Sequence, residues 1–118
     1  MSPNPAVPFE QIDVETFAQR FQTERDKLQL IDVREPTELE LASLEGFERL
    51  PLSEFADWSE SIHNRFDNEK ETIVMCHHGM RSAQMCQWLS QQGFTNVKNL
   101  AGGIDAYSAV VDRSVPRY

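Results

Sequence analysis

The sequence predicts an α/β fold in which a parallel sheet is covered by helices. Two observations carry this. Short strand-like runs alternate with helical stripes, which argues against a helical bundle. The run TIVMC, residues 72–76, is almost continuously apolar, as a strand is when both faces of a parallel sheet are covered. A length of 118 residues with 40% apolar content suits one domain with a real core.

Three of the six prolines stand in the first eight residues (Pro3, Pro5, Pro8), so residues 1–8 read as an extended lead-in and residues 9–118 as a single domain. A short strand is expected at Gln11 and Ile12. Asp13 then caps a helix whose Val14, Phe17, Ala18 and Phe21 recur at i, i+3, i+4 and i+7. LQLIDV, residues 28–33, is a second strand that places Asp32 near its carboxyl end, and a short helix begins near Pro36. A strand is expected around residues 47–50. Ser53 is placed to cap a helix with Phe55, Trp58 and Ile62 on one face. After TIVMC, a helix carries Met85, Cys86 and Leu89 inward and stops at Gly93. NVKNL is the last strand, AGG a tight turn, and Ile104, Tyr107 and Val111 mark a final helical face.

A net charge of −8, spread over many short interruptions, argues against unaided binding of nucleic acid or anionic membrane. Any site for a small anion has to make its own positive potential. No stretch is long and apolar enough to span a bilayer, and MSPNPAVPFE lacks the regions of a secretory signal, so a cytoplasmic location is expected. Two cysteines do not make a disulfide framework and are judged as separate thiols.

Cys76 stands where ligands bind in open α/β sheets, beyond the carboxyl end of a strand. Its loop, CHHGMRS, leads into a helix start, whose unpaired N–H groups favour an anion such as a thiolate. A free thiol titrates near 8.5, and in such places falls to roughly 3.5–7.5. A drop of about two units, roughly 2.7 kcal/mol, makes thiolate the dominant form at neutral pH. Gly79 lets successive N–H groups turn inward, and Arg81 offers charge and a planar fork of donors. The plain alternative is a buried, inert cysteine. Gly79, Arg81 and Ser82 at these offsets favour chemistry.

With LIDVREPTELE, LPLSEF, CHHGMRSA and FTNVKNLAGGIDAYS in this order and spacing, the sequence resembles the rhodanese-like domains, specifically the single-domain sulfurtransferases. The resemblance implies a five-stranded parallel sheet with helices on both faces. It also implies a nucleophilic Cys76 that takes a sulfane sulfur as a persulfide from a donor such as thiosulfate, then passes it to cyanide or a thiol. The persulfide is expected to rest on the amides of residues 77–82 (His77, His78, Gly79, Met80, Arg81 and Ser82), with Arg81 holding the donor's sulfonate or securing the loop. The expected partners are a small anionic sulfur donor and a thiol or cyanide acceptor, or a sulfur-donor or acceptor protein; no cofactor is called for. The alternative is a rhodanese-like sensing or partner-binding module without catalysis.

Loop length separates two chemistries. Certain phosphatases and arsenate reductases of the same fold have five residues between cysteine and arginine, whereas here four intervene, His77, His78, Gly79 and Met80. One residue spans about 3.3–3.6 Å, so the shorter ring suits one sulfur better than a tetrahedral phosphate.

His77 and His78 are placed to tune pocket charge or donate to a leaving group, with the loop amides contributing more. Being largely neutral, they weaken the preference for dianionic thiosulfate and leave room for a persulfide donor. Met80 reads equally as pocket mouth or apolar cover. Cys76, His77 and His78 lack zinc-motif spacing, so no metal is expected. In the DVR segment Asp32 is expected to accept bonds from the active loop, and Arg34 to pair with Glu45 or Glu38. Cys86, Trp58 and Tyr107 read as packing. The segment ASLEGF, residues 42–47, departs from the family's histidine-containing GHIPGA-like pattern.

Overall fold

A computed structural model of the chain describes residues 9–118. The extended lead-in expected for residues 1–8 lies outside the described residues. Five parallel strands form one sheet in the order β1-β5-β4-β2-β3: β1 Glu10–Ile12, β2 Gln29–Asp32, β3 Glu48–Arg49, β4 Thr72–Met75 and β5 Val97–Leu100. The predicted parallel sheet is therefore present, with TIVM at its centre. β4 pairs with β2 from Gln29↔Thr72 to Asp32↔Met75, and with β5 from Thr72↔Val97 to Val74↔Asn99.

Side-chain alternation along β4 divides the core in two. Val74 and Cys76 join the layer with Ile31, Trp58, Ile62, Met85, Cys86 and Leu89. Ile73 and Met75 join the opposite layer with Ile12, Phe17, Leu30, Leu100, Ile104 and Tyr107. All four β4 residues are buried, which explains why their sequence is almost continuously apolar rather than alternating.

The first helix, α1 Val14–Thr23, starts as expected: the Asp13 carboxylate accepts from Thr16 N at 2.7 Å. Next comes α2 Pro36–Leu41, entered through Pro36 and closed at its start by Glu38, whose carboxylate accepts from Glu35 N at 3.0 Å. The helix expected after Ser53 is not continuous. The segment breaks into α3 Phe55–Trp58 and α4 Ile62–Arg65, with 3₁₀ turns at Leu52–Glu54 and Ser59–Ser61. Ser53 caps neither helix, because its N–H and hydroxyl both go to the Glu35 carboxylate. Trp58 Nε1 donates to Pro51 O at 2.8 Å, which folds the segment back on its own start.

After β4 comes α5 Met80–Gln91, ending at Gly93, whose φ of 96° is the left-handed turn expected of it. The chain closes with α6 Gly103–Ala106 and a wide turn, Tyr107–Val111, bonded from Asp112 N to Tyr107 O at 3.0 Å. Among the described residues no helix is long and apolar enough to cross a membrane.

Strand order positions the site. From β2 the chain moves outward through α2 to β3, and from β4 it moves the other way through α5 to β5. The loops after these two adjacent strands part, leaving a crevice at their carboxyl ends. Asp32, Arg34 and Glu38 follow β2; Cys76 to Ser82 follow β4.

Candidate active site

Cys76 is the first residue beyond β4 and is 1% exposed. It lies with His77, His78, Met80 and Arg81 around a cavity of about 400 Å³. Gly79, at φ 102°, turns the chain so that its N–H reaches Cys76 Sγ at 3.0 Å. The Ser82 hydroxyl lies 3.3 Å from the same sulfur and donates to it or to Asn99 Oδ1, 2.5 Å away. Burial pushes the thiol up, but the Ser82 hydroxyl and the amides of Ser82, Gly79 and His78 outweigh it, holding Cys76 below its ordinary value. The sulfur thus sits on a partial ring of donors that favours its thiolate form.

The loop is held from below by β5 and the turn after it. Asn99, 3% exposed, donates to Gly79 O at 3.0 Å and to Gln11 Oε1 at 3.0 Å. The amides of Ile104 and Asp105 donate to the carbonyls of Cys76 and His77 at 2.9 and 3.1 Å. A Cβ on Gly103, itself at φ 62°, would strike those two carbonyls, so only glycine permits this approach. A polar asparagine within the buried NVKNL strand is the sequence signal that could have flagged Asn99.

Arg81 does not aim a free cation into the cavity. Its Nη1 and Nη2 donate to Glu38 Oε1 and Oε2 at 2.5 and 2.9 Å, joining the two sides of the crevice. Of the two roles expected of Arg81, this geometry corresponds to securing the loop. Hydrogen bonds from Arg81, ahead of an opposing burial effect, hold the Glu38 carboxyl at about 2. Tyr118, which sequence reasoning missed, donates to Glu38 Oε2 at 2.8 Å and accepts from Arg34 Nη1 at 3.0 Å. A lone aromatic beyond the recognised motifs gave no signal.

Asp32 and Arg34 depart from expectation. Asp32 bonds not to the active loop but to Arg34, which donates through Nε and Nη2 and through its backbone N–H. Arg34 pairs with neither Glu45 nor the Glu38 carboxylate; it touches Glu38 through the backbone carbonyl at 3.4 Å. Both side chains are 2% exposed or less, and a guanidinium so buried requires the nearest carboxylate, two residues back. Their link to the site is indirect, running through Tyr118 and Glu38 to Arg81.

His77 stacks on Tyr118 with ring centroids 3.9 Å apart and lies tilted against His78, also at 3.9 Å. Burial, then the neighbouring His78, lowers the His77 imidazole below its usual range, so it is neutral at neutral pH. Among the described residues, His77 Nε2 is the buried side-chain nitrogen without a partner. His78 is exposed and faces Asp105 at 3.9 Å, a carboxylate that Arg117 also holds at 3.0 Å. Met80 is 78% exposed at the mouth. Cys86, Trp58 and Tyr107 are buried packing residues, as read from the sequence. No group of three or more His, Cys, Asp or Glu among the described residues is arranged to hold a metal.

Fold and site together define an α/β domain that presents a buried cysteine on a strand-to-helix loop at the switch point of its sheet. The chain belongs to the rhodanese-like domain family, whose profile matches residues 13–110. It is 47% identical over 113 residues to the Rhodanese-like/PpiC domain-containing protein 12, chloroplastic, of Arabidopsis thaliana, covering 94% of this chain and 38% of that protein. It thus spans about two-fifths of that relative. It is 33% identical over 98 residues to a sulfurtransferase of Allochromatium vinosum, covering 83% of this chain and 87% of that protein. A rhodanese-related protein of Thermoplasma volcanium superposes with a TM-score of 0.69 at 28% identity, over 86% of this chain and 92% of that one.

Proposed function

We propose that this chain is a sulfurtransferase working through a Cys76 persulfide. The observation that carries the reading is the set of donors on Cys76 Sγ: Gly79 N at 3.0 Å and the Ser82 hydroxyl at 3.3 Å, with the thiol held below its ordinary value. A thiolate on such a ring attacks, and the same donors stabilise the anion that replaces it. Similarity to a protein named a sulfurtransferase along nearly its whole length supports this reading.

With thiosulfate, the Cys76 thiolate attacks the outer sulfur. The new bond is sulfur to Cys76, the S–S bond of the donor breaks with its electron pair leaving on sulfite, and no proton or oxidant is required. In the second half, cyanide or a thiolate attacks the outer sulfur of the persulfide and Cys76 leaves as thiolate. The Gly79 amide closes directly on Sγ, which together with the four-residue interval to Arg81 supports a single terminal sulfur over a tetrahedral phosphate. A partner that donates or accepts sulfur, and a location in the reducing cytoplasm, belong to the same proposal.

The test is incubation with thiosulfate, followed by intact mass and, after cyanide, thiocyanate formation. One added sulfur and product are expected. Neither would favour a partner-binding module, and robust hydrolysis of p-nitrophenyl phosphate would overturn the choice of sulfur over phosphate.

A further inference from the structure

The chain's arginines at the site are engaged by carboxylates. Glu38 takes both terminal nitrogens of Arg81, and all its acceptor directions are in use: Oε1 also accepts from Glu35 N at 3.0 Å, and Oε2 from the Tyr118 hydroxyl at 2.8 Å. Tyr118 is fixed in turn by Arg34 and by stacking on His77. Arg117 is held by Asp105, the carboxylate that His78 faces. His77 is neutral and lines the cavity. The whole chain carries −8. A thiolate attacking thiosulfate gathers three negative charges at one place, and among the described residues the arginines near this site, Arg34, Arg81 and Arg117, are each shared with a carboxylate.

Resting on the sulfurtransferase reading, we infer that Glu38, held in place by the Tyr118 hydroxyl, is a specificity-determining residue: by occupying Arg81 it turns the site away from dianionic thiosulfate and toward alkyl persulfides as sulfur donors. A persulfide brings at most one charge to the reacting sulfurs, and none when protonated. Its reaction balances without a further reagent. Cys76 thiolate bonds the outer sulfur of R–S–SH, the donor S–S bond breaks, RS⁻ leaves, and the proton on the transferred sulfur passes to RS⁻ or solvent. Tyr118 is a positioning residue, acting through Glu38.

The experiment compares kcat/KM for thiosulfate and for glutathione persulfide, with cyanide as acceptor, in the wild type, Glu38→Gln and Tyr118→Phe. Glutamine keeps an acceptor for the α2 start, and phenylalanine keeps the stack on His77. The wild type should favour the persulfide. Glu38→Gln should raise the ratio of thiosulfate kcat/KM to persulfide kcat/KM about tenfold, the effect of one released cation. Tyr118→Phe should move the same ratio in the same direction by about threefold. Raising ionic strength should shrink the difference between wild type and Glu38→Gln.

Equal losses with both donors in both variants would make Glu38 and Tyr118 structural supports only and overturn the inference, as would a wild type that prefers thiosulfate. Should Glu38→Gln fail to fold, Tyr118→Phe alone decides, since an unchanged donor ratio there overturns the role of its hydroxyl. A wild type that accepts sulfur from neither donor contradicts the sulfurtransferase reading itself, which sets that failure apart from this one.

Discussion

Cys76 and Cys86 sit in the same apolar layer, at 1% and 0% exposure, yet their thiols are driven in opposite directions. Burial, with a smaller contribution from the charge of Cys76, pushes the Cys86 thiol up to about 12. Burial pushes Cys76 the same way, but Ser82, Gly79 and His78 donate to its sulfur and reverse the outcome. Burial by itself silences a thiol. What makes one reactive is the convergence of donors, which occurs where a strand ends and a helix begins but not in a helix interior.

The most drastic way to break this contrast is to exchange the cysteines. Cys76→Ser should reduce sulfur transfer to background with the fold intact. Cys86→Ala should keep the activity and lose roughly 1 kcal/mol of stability, read by denaturant unfolding. Asp32→Ala comes next, because it leaves the Arg34 guanidinium buried without its carboxylate. A loss of about 3–5 kcal/mol and a lower Tm are expected. Because Arg34 holds Tyr118 and, through it, Glu38, the same variant should also shift the donor ratio toward thiosulfate, as Tyr118→Phe does. An unchanged Tm would contradict the account of this pair.

Ser82→Ala sharpens the comparison without dismantling it. Removing the hydroxyl takes away a donor that lowers the Cys76 thiol, so the pH midpoint of alkylation should rise. The Cys86 thiol should stay unreactive across the same range. The smallest effect concerns Glu38. Its folded carboxyl titrates at about 2 against an ordinary 4.5, so its contribution to stability is complete above about pH 4.5 and is lost as the pH falls toward 2. Wild-type Tm should decline over that interval more steeply than that of Glu38→Gln.

Those features of the site that are local were legible in the sequence. The reach of Gly79 N–H to Cys76, and the helix start after it, follow from seven adjacent residues, CHHGMRS. The sheet was equally legible, because a strand buried on both faces must read TIVM. What escaped is what joins distant segments. The bonds from Glu38 to Arg81 span 43 positions, and from Tyr118 to Arg34 span 84; neither spacing nor periodicity encodes such pairs. Asp32 illustrates the same limit. Its place at a strand end was right, but a fully buried Arg34 two residues away took the carboxylate before the loop could. Ser53 met a competing acceptor, Glu35, in the same way.

Site mapping of transferred sulfur tests the central claim most directly. The protein is loaded with thiosulfate or glutathione persulfide at neutral pH, trapped with an alkylating reagent, digested and sequenced by mass spectrometry. The donor ring predicts one sulfur, on Cys76, with Cys86 left as an unmodified thiol until the protein is denatured. Sulfur on Cys86, or none on either cysteine, would contradict the account.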